Sequence, residues 1–264
     1  MATSNQTRFG NTQEPYHPDT ITAITGRMFR DHRLAVVVPA FNEARLIGTT
    51  LDNMPTAVDA IYVVDDASTD ATAATAQASG DDRVRVIRHE SNRGVGGAIL
   101  TGYRTALADQ MELVAVMAGD AQMHPDDLHV LVAALLDENA DYAKGNRFAH
   151  PAARAMPLAR RLGGRALALL TRWATGLDVH DTQCGFTVVR ASCLRHVDLD
   201  DMWPRYGYPN DLLALLAAAK ARIVEAPVRP VYATERSGVR PWHALAIATR
   251  IGRRWLAQRH ARPA

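Results

Sequence analysis

From Leu34 onward, short apolar runs alternate with longer amphipathic stretches. Leu34-Ala35-Val36-Val37-Val38, Ala60-Ile61-Tyr62-Val63-Val64, Val84-Arg85-Val86-Ile87 and Leu113-Val114-Ala115-Val116-Met117 have the length and β-branched content of strands. Helical patterns over 43–54, 70–78, 96–108 and 126–136 follow them in turn. Near-continuous apolar strands, each followed by a helix, predict a parallel sheet covered on both faces. After Tyr142-Ala143-Lys144 the pattern changes. A long helix over 158–173 mixes Arg160, Arg161, Arg165 and Arg172 with leucines, and then come a short strand over 186–189, a helix over 212–219 and an extended stretch over 223–232 broken by Pro227 and Pro230. The expectation is one α/β domain over 32–240, Rossmann-like in its first half, with a mixed sheet and helices in its second. Residues 1–31, polar and without an apolar core, read as a flexible lead-in and not as a signal peptide. Over 241–264, Trp242, Leu245, Ala248, Ile251, Trp255 and Leu256 share one side of a helix, with His243, Arg250, Arg253, Arg254 and Gln258 opposite. Such a helix lies on an anionic lipid surface or packs on its own domain.

Composition narrows the class. At 264 residues and 47% hydrophobic content the chain can bury a real core. A net charge of +2 gives no reason to expect a nucleic-acid partner. Arginines nevertheless crowd the second half, which suits phosphate binding. Cys184 and Cys193 are too few for a disulfide framework and lack zinc-site spacing, so a reducing compartment is expected. No apolar run reaches the roughly 18 residues of a membrane span, so a cytoplasmic chain, or one lying on the cytoplasmic face of a membrane, is expected.

The chemistry gathers where strands give way to helices. Val63-Val64-Asp65-Asp66-Ala67-Ser68-Thr69-Asp70 puts three carboxylates after the second strand, the place where open α/β sheets bind nucleotides. Pro39-Ala40-Phe41-Asn42-Glu43 follows the first strand, with Pro39 read as ending it. Glu43 there either caps the helix or, beside Asp65 and Asp66, accepts from base or ribose donors. Asp70 is read as the next N-cap. A second acidic turn, Ala118-Gly119-Asp120-Ala121-Gln122, follows the fourth strand. A divalent cation holding a diphosphate needs only one or two protein oxygens, which Asp120 and Gln122 can supply. Asp126 and Asp127 are left to cap the following helix. The run Asn92-Arg93-Gly94-Val95-Gly96-Gly97 lacks full G-x-G-x-x-G spacing and follows the third strand, against a dinucleotide fold. Its glycines are expected to bring a helix N-terminus close to a nucleotide.

Together with Lys144-Gly145-Asn146-Arg147-Phe148 and Asp181-Thr182-Gln183-Cys184-Gly185-Phe186, these motifs resemble family 2 glycosyltransferases of the GT-A fold, in particular the dolichyl- or polyprenyl-phosphate mannose or glucose synthase branch. The resemblance runs from about Leu34 to Trp242. It implies a sugar nucleotide donor of the GDP-mannose or UDP-hexose type, held at its nucleoside by Glu43 and Asp66, with Pro39, Phe41, Asp65 and Gly94 around it. It implies Mg2+ or Mn2+ at Asp120 and Gln122, a phosphate on Arg147, and inverting transfer in one displacement. Two departures stand out. Many relatives carry a second Asp where this chain has Ala118, so its metal would lean more on the donor diphosphate. A Ser-Lys pair of the better-known synthases is replaced by Glu235-Arg236-Ser237-Gly238-Val239-Arg240, where Arg236 or Arg240 would supply the cation.

The acceptor leaves alternatives open. A lipid phosphate is already an anion and needs cations, which Arg160, Arg161, Arg236 and Arg240 offer. A hydroxyl acceptor needs a general base, for which Asp211 is the candidate unless it caps its helix. A third reading is a nucleotide-binding module without catalysis.

Overall fold

The computed structural model describes residues 31–231 together with residues 249 and 252. Apart from residues 31, 249 and 252, the expected lead-in and C-terminal helix lie outside the described residues, as do Arg236 and Arg240. Seven strands, β1 (Leu34–Ala40), β2 (Ala60–Asp65), β3 (Val84–Arg88), β4 (Leu113–Val116), β5 (Tyr142–Asn146), β6 (Thr187–Arg190) and β7 (Ile223–Pro227), form one sheet in the order β3-β2-β1-β4-β6-β5-β7. Only β6 runs against the rest, antiparallel to both β4 and β5. The expected mostly parallel α/β sheet with a mixed second half is therefore what forms.

Alternation within the apolar runs sorts the core into two layers. Leu34, Val36 and Val38 face one side with Ile61, Val63, Leu113 and Ala115, under the helices α1 (Ile47–Asp52) and α4 (Asp127–Asp137). Ala35 and Val37 face the other with Tyr62, Val64, Val114 and Val116, under α3 (Val95–Ala108) and α7 (Tyr208–Ala218). The remaining helices are α2 (Thr72–Gln77), α5 (Leu158–Thr175) and the single turn α6 (Ala191–Leu194). On the second face α3 approaches very closely, since a Cβ on Gly102 would lie 2.2 Å from Val37 Cγ1.

Several boundaries differ from expectation for identifiable reasons. Pro39 does not end β1 but lies in it, opposite Val64. Its carbonyl accepts from Gly119 N, so its missing N–H also faces β4, beyond the last residue of that strand, where no ladder bond is lost. The helix expected from Glu43 begins only at Ile47, because Glu43 O closes a turn by accepting from Leu46 N and Ile47 N at 2.9 Å each. Asp126 and Asp127 give α4 no side-chain cap. Instead Asp127 is buried against Arg229, accepting from its backbone N at 2.6 Å and lying 3.1 Å from its Nε. α7 begins before Asp211, with Gly207 at φ 102 as its N-cap and Pro209 in its first turn. The helices α3, α4 and α7 end alike. Gln110, Asn139 and Lys220 take left-handed φ values of 56, 46 and 57°, and their 6→1 bonds run from Met111, Ala140 and Ala221 N to Ala106, Leu135 and Leu216 O.

Candidate functional site

The C-terminal ends of β2, β1 and β4 lie side by side, and the chain reverses its direction of travel across the sheet between β1 and β4. That is the switch point at which open α/β sheets leave a crevice. Pro39, Phe41, Glu43, Asp65, Asp66, Asp120 and Gln122 all come from these three ends, in the spatial order β2, β1, β4. Each end carries one non-glycine residue in the left-handed region: Asn42 at φ 58, Ala67 at 61 and Ala121 at 54°. Such residues cost about 1–3 kcal/mol each and persist where surrounding bonds over-determine the turn.

Those bonds are present. The turn after β1 is sewn to the turn after β2 by Asn42 N to Ser68 Oγ (2.9 Å), Glu43 N to Thr72 Oγ1 (2.8 Å), Ala44 N to Asp70 Oδ2 (3.2 Å) and Thr69 N to Asn42 Oδ1 (2.9 Å). Asp70 is thus a cross-turn tie as well as a cap: the formal N-cap position is Ala71, one residue on, but Asp70 Oδ1 accepts from Thr72 N at the helix start at 3.0 Å. Asp65 is fully buried, accepts from Ser68 N at 3.0 Å and lies 3.3 Å from Arg88 Nε. Asp66 is 2% exposed, and its carboxylate grips the segment after β3. Oδ1 accepts from Arg93 N (2.8 Å) and meets His89 Nδ1 (2.7 Å), while Oδ2 accepts from Gly94 N (2.7 Å). Three donors on a group with about four lone-pair sites leave it able to take one more. His89, buried behind it, was missed in the sequence. Its Nε2 lies 2.9 Å from Thr101 Oγ1, whose hydroxyl is also 3.1 Å from Gly97 O. A histidine at a strand end carries no sequence signal for this; only the fold brings it under Asp66.

The glycine run packs against a protein segment that the sequence did not point to. A Cβ on Gly94 would meet Pro204 O at 2.5 Å, and one on Gly96 would meet Trp203 O at 2.3 Å. Gly97 N donates to Pro204 O at 3.0 Å. These glycines therefore admit the 203–205 backbone, whose carbonyl occupies the start of α3. Gly94 is tied to the crevice by its N–H bond to Asp66 Oδ2 at 2.7 Å.

Asp120 and Gln122 stand half-buried after β4, with Gln122 N donating to Asp120 Oδ1 at 3.1 Å. Among the described residues no group of three or more His, Cys, Asp or Glu is arranged to hold a metal ion. One carboxylate with an amide two residues on is a small set of hard oxygens. That fits Mg2+ or Mn2+ brought in by a diphosphate, for which protein supplies only one or two ligands.

Because β6 runs backwards, its leading segment Asp181 to Phe186 arrives at the same edge as the end of β5. Arg147 and Asp181 form a two-pronged pair there, Nε to Oδ2 at 2.8 Å and Nη2 to Oδ1 at 2.9 Å, with Arg147 N to Oδ2 at 3.0 Å. Burial works to raise the Asp181 carboxyl, but the Arg147 bonds and the Lys144 charge outweigh it and hold the group below its ordinary value. Lys144 is fully buried and donates to Cys184 O, and burial pushes its ammonium down. Glu225 accepts from His180 N (2.9 Å), Asp181 N (2.9 Å) and Asn146 Nδ2 (3.0 Å). The two motifs Lys144 to Phe148 and Asp181 to Phe186 were visible in the sequence, but not that they pair with each other. Asp211 is 2% exposed, does not cap α7, and accepts from Trp203 N at 2.8 Å. Arg160 and Arg161 sit in the first turn of α5. Between α5 and residues 146–149 runs a groove of about 610 Å³ with Phe148, Ala168 and Leu169 on its walls and Arg165, Arg172 and His180 around them. Among the described residues no helix is long and apolar enough to cross a membrane.

Residues 35–197 match the family model for glycosyl transferase family 2. The chain is 31% identical over 231 residues to an undecaprenyl-phosphate mannosyltransferase of Micrococcus luteus, covering 83% of this chain and 94% of that one. It is 27% identical over 226 residues to a UDP-N-acetylglucosamine–dolichyl-phosphate N-acetylglucosaminyltransferase of Methanococcus voltae, covering 80% and 90%. Among solved structures, glucosyl-3-phosphoglycerate synthase of Mycobacterium tuberculosis with Mn2+, UDP-glucose and phosphoglyceric acid superposes with a TM-score of 0.66 at 23% identity, over 96% of this chain and 88% of that one. At that identity the likeness speaks for the fold, which is GT-A, and the family match sets aside the non-catalytic module. The chain is a glycosyltransferase and belongs to family 2.

Proposed function

We propose that this enzyme transfers a sugar from a nucleotide-sugar donor to a polyprenyl phosphate, with inversion in a single displacement. The observation that carries the acceptor is the groove along α5, with apolar walls from Phe148, Ala168 and Leu169 and guanidinium groups from Arg165 and Arg172, the latter paired with Asp178 at 2.7 Å. A lipid phosphate needs that pairing of an apolar channel with fixed positive charge. The names of the Micrococcus and Methanococcus relatives support the same acceptor class. The donor nucleoside belongs over the ends of β1 and β2, with Glu43 and Asp66 accepting from it and Phe41, 46% exposed, available as a flat apolar face. Asp120 and Gln122 would hold Mg2+ or Mn2+ with the diphosphate, and the cation would offset the charge gathering on the leaving group. Arg147, anchored by Asp181, stands on the acceptor side of that line.

The test is transfer by the purified chain with Mg2+ or Mn2+, GDP-mannose or a UDP-hexose, and a short-chain polyprenyl phosphate. Metal-dependent formation of an organic-extractable sugar phosphate with inverted anomeric configuration is expected. Transfer confined to water-soluble hydroxyl acceptors would replace the lipid reading with the base-assisted one.

A further inference from the structure

The helix α5 has two apolar sides. Its inner side is small: Ala168, Thr171 and Ala174 are buried, and Gly164 lies where a Cβ would be 2.7 Å from Phe148 Cζ. Its outer side is large. Leu158, Leu162, Leu169 and Trp173 are 66, 59, 68 and 62% exposed, and they make up four of the six large hydrophobic side chains that stand open among the described residues. At about 100° per residue the four fall within an arc of about 60°, a continuous stripe along the helix. Arg161, Arg165 and Arg172 run along one flank of that stripe, Arg160 stands in the first turn, and α5 itself contains no acidic residue, although Arg172 pairs with Asp178 beyond its end at 2.7 Å. Single exposed apolar residues need no explanation, but an aligned row of leucines and a tryptophan does.

We infer that α5 is the element by which this enzyme lies on an anionic lipid bilayer, the stripe entering the boundary between head groups and acyl chains and the arginines meeting lipid phosphates. Charge complementarity selects this occupant, since arginines beside a leucine and tryptophan face suit a negative interface. A second copy fits less well, because an antiparallel twofold contact through α5 would bring arginine rows together with no acid on either helix. The inference deepens the lipid-phosphate reading and rests on it, because the acceptor groove shares Leu169, Arg165 and Arg172 with this helix. Docking through α5 would hold that groove at head-group depth.

The experiment uses the full chain and sedimentation with vesicles of phosphatidylcholine with or without phosphatidylglycerol. The variant is L158S/L162S/W173S, whose side chains are exposed and lie outside the groove, with circular dichroism and thermal unfolding as checks on the fold. The parent should sediment with phosphatidylglycerol vesicles and do so less at high salt. In the variant, binding should fall about tenfold or more, since each tenfold is only about 1.4 kcal/mol, while transfer to a short-chain acceptor without vesicles stays near the parent rate. Three results would overturn the inference: a parent that ignores phosphatidylglycerol vesicles, a variant that binds as well as the parent because residues 241–264 carry the contact, or a parent dimer that the variant dissociates. Vesicle binding lost in the variant, with no transfer to any lipid phosphate by the parent, would keep α5 as the membrane contact and remove the acceptor reading alone.

Discussion

Asp120 stands half-buried at the strand end, with its carboxylate bonded within its own turn. Asparagine keeps the oxygen that accepts from Gln122 N at 3.1 Å, so Asp120→Asn should leave thermal stability within about 0.5 kcal/mol of the parent. The substitution removes the only carboxylate of the turn. Transfer measured across a Mg2+ or Mn2+ titration should therefore fall by about 100-fold or more, in the range of losing a key electrostatic group, and full activity at any metal level would dismiss the site. Asp211 calls for the opposite expectation. Its carboxylate is buried and accepts from Trp203 N at 2.8 Å, a bond that an amide oxygen can also accept. With a phosphate nucleophile no base is needed, and Asp211→Asn should keep most of its rate; loss of a general base would cost about 100- to 10,000-fold. A correctly folded, acceptor-binding Asp211→Asn enzyme without activity would promote the hydroxyl acceptor.

At the scale of elements, two helix glycines should respond with opposite signs. A methyl group on Gly96 would lie 2.3 Å from Trp203 O, so Gly96→Ala must push the 203–205 segment off α3, at a cost of about 1–3 kcal/mol. Gly163, in α5, has nothing within 4 Å of the added Cβ, and Gly163→Ala should stabilise by roughly 0.5–1 kcal/mol through helix propensity. Denaturant unfolding of the two variants checks both signs, and a stabilised Gly96→Ala would mean that the loop is not seated there. This contact marks the limit of what the sequence discloses. Strands β1 to β4 were legible because buried parallel strands leave apolar runs, and α3 to α5 because they are long enough to show a period, whereas β5, Tyr142-Ala143-Lys144-Gly145-Asn146, carries no such run and was not foreseen. Short α1 and α2 were over-extended, since their first turns are consumed in tying the β1 and β2 turns together through Ser68, Asp70 and Thr72. The acidic turns could be found from residue type and position. The Asp66–His89–Thr101 chain and the Arg147–Asp181 pair could not, because each joins segments brought together only by sheet order.

For the molecule as a whole, the second half of the sheet is fastened by buried charge. Asp181 links the ends of β5 and β6 through Arg147, and Glu225 ties both to β7. The Asp181 carboxyl lies below its ordinary 3.8 in the folded state. Its contribution to stability is therefore complete above that value and is lost as pH falls through the lower folded one. Asp181→Asn should be destabilised by a constant amount near neutrality, on the order of 3–5 kcal/mol for a buried pair broken on one side, and the gap to the parent should close at strongly acid pH. Thermal unfolding across pH reads this directly, and a gap that widens on acidification would contradict the assignment. The reversed strand has a further consequence, one of timing. The strands β1 to β4 are complete once Val116 has been made, but the partner for the open side of β4 is β6, which starts only at Thr187. At roughly 5–20 residues per second the ribosome needs on the order of ten seconds to cross that interval. For that time the nascent chain displays a bare strand edge of Leu113, Val114, Ala115 and Val116, the kind of surface that recruits other strands. The stretch of chain most exposed to misassembly is thus the middle strand of the finished sheet, and conditions that slow synthesis between Met117 and Phe186 should lower the soluble yield of an otherwise stable enzyme.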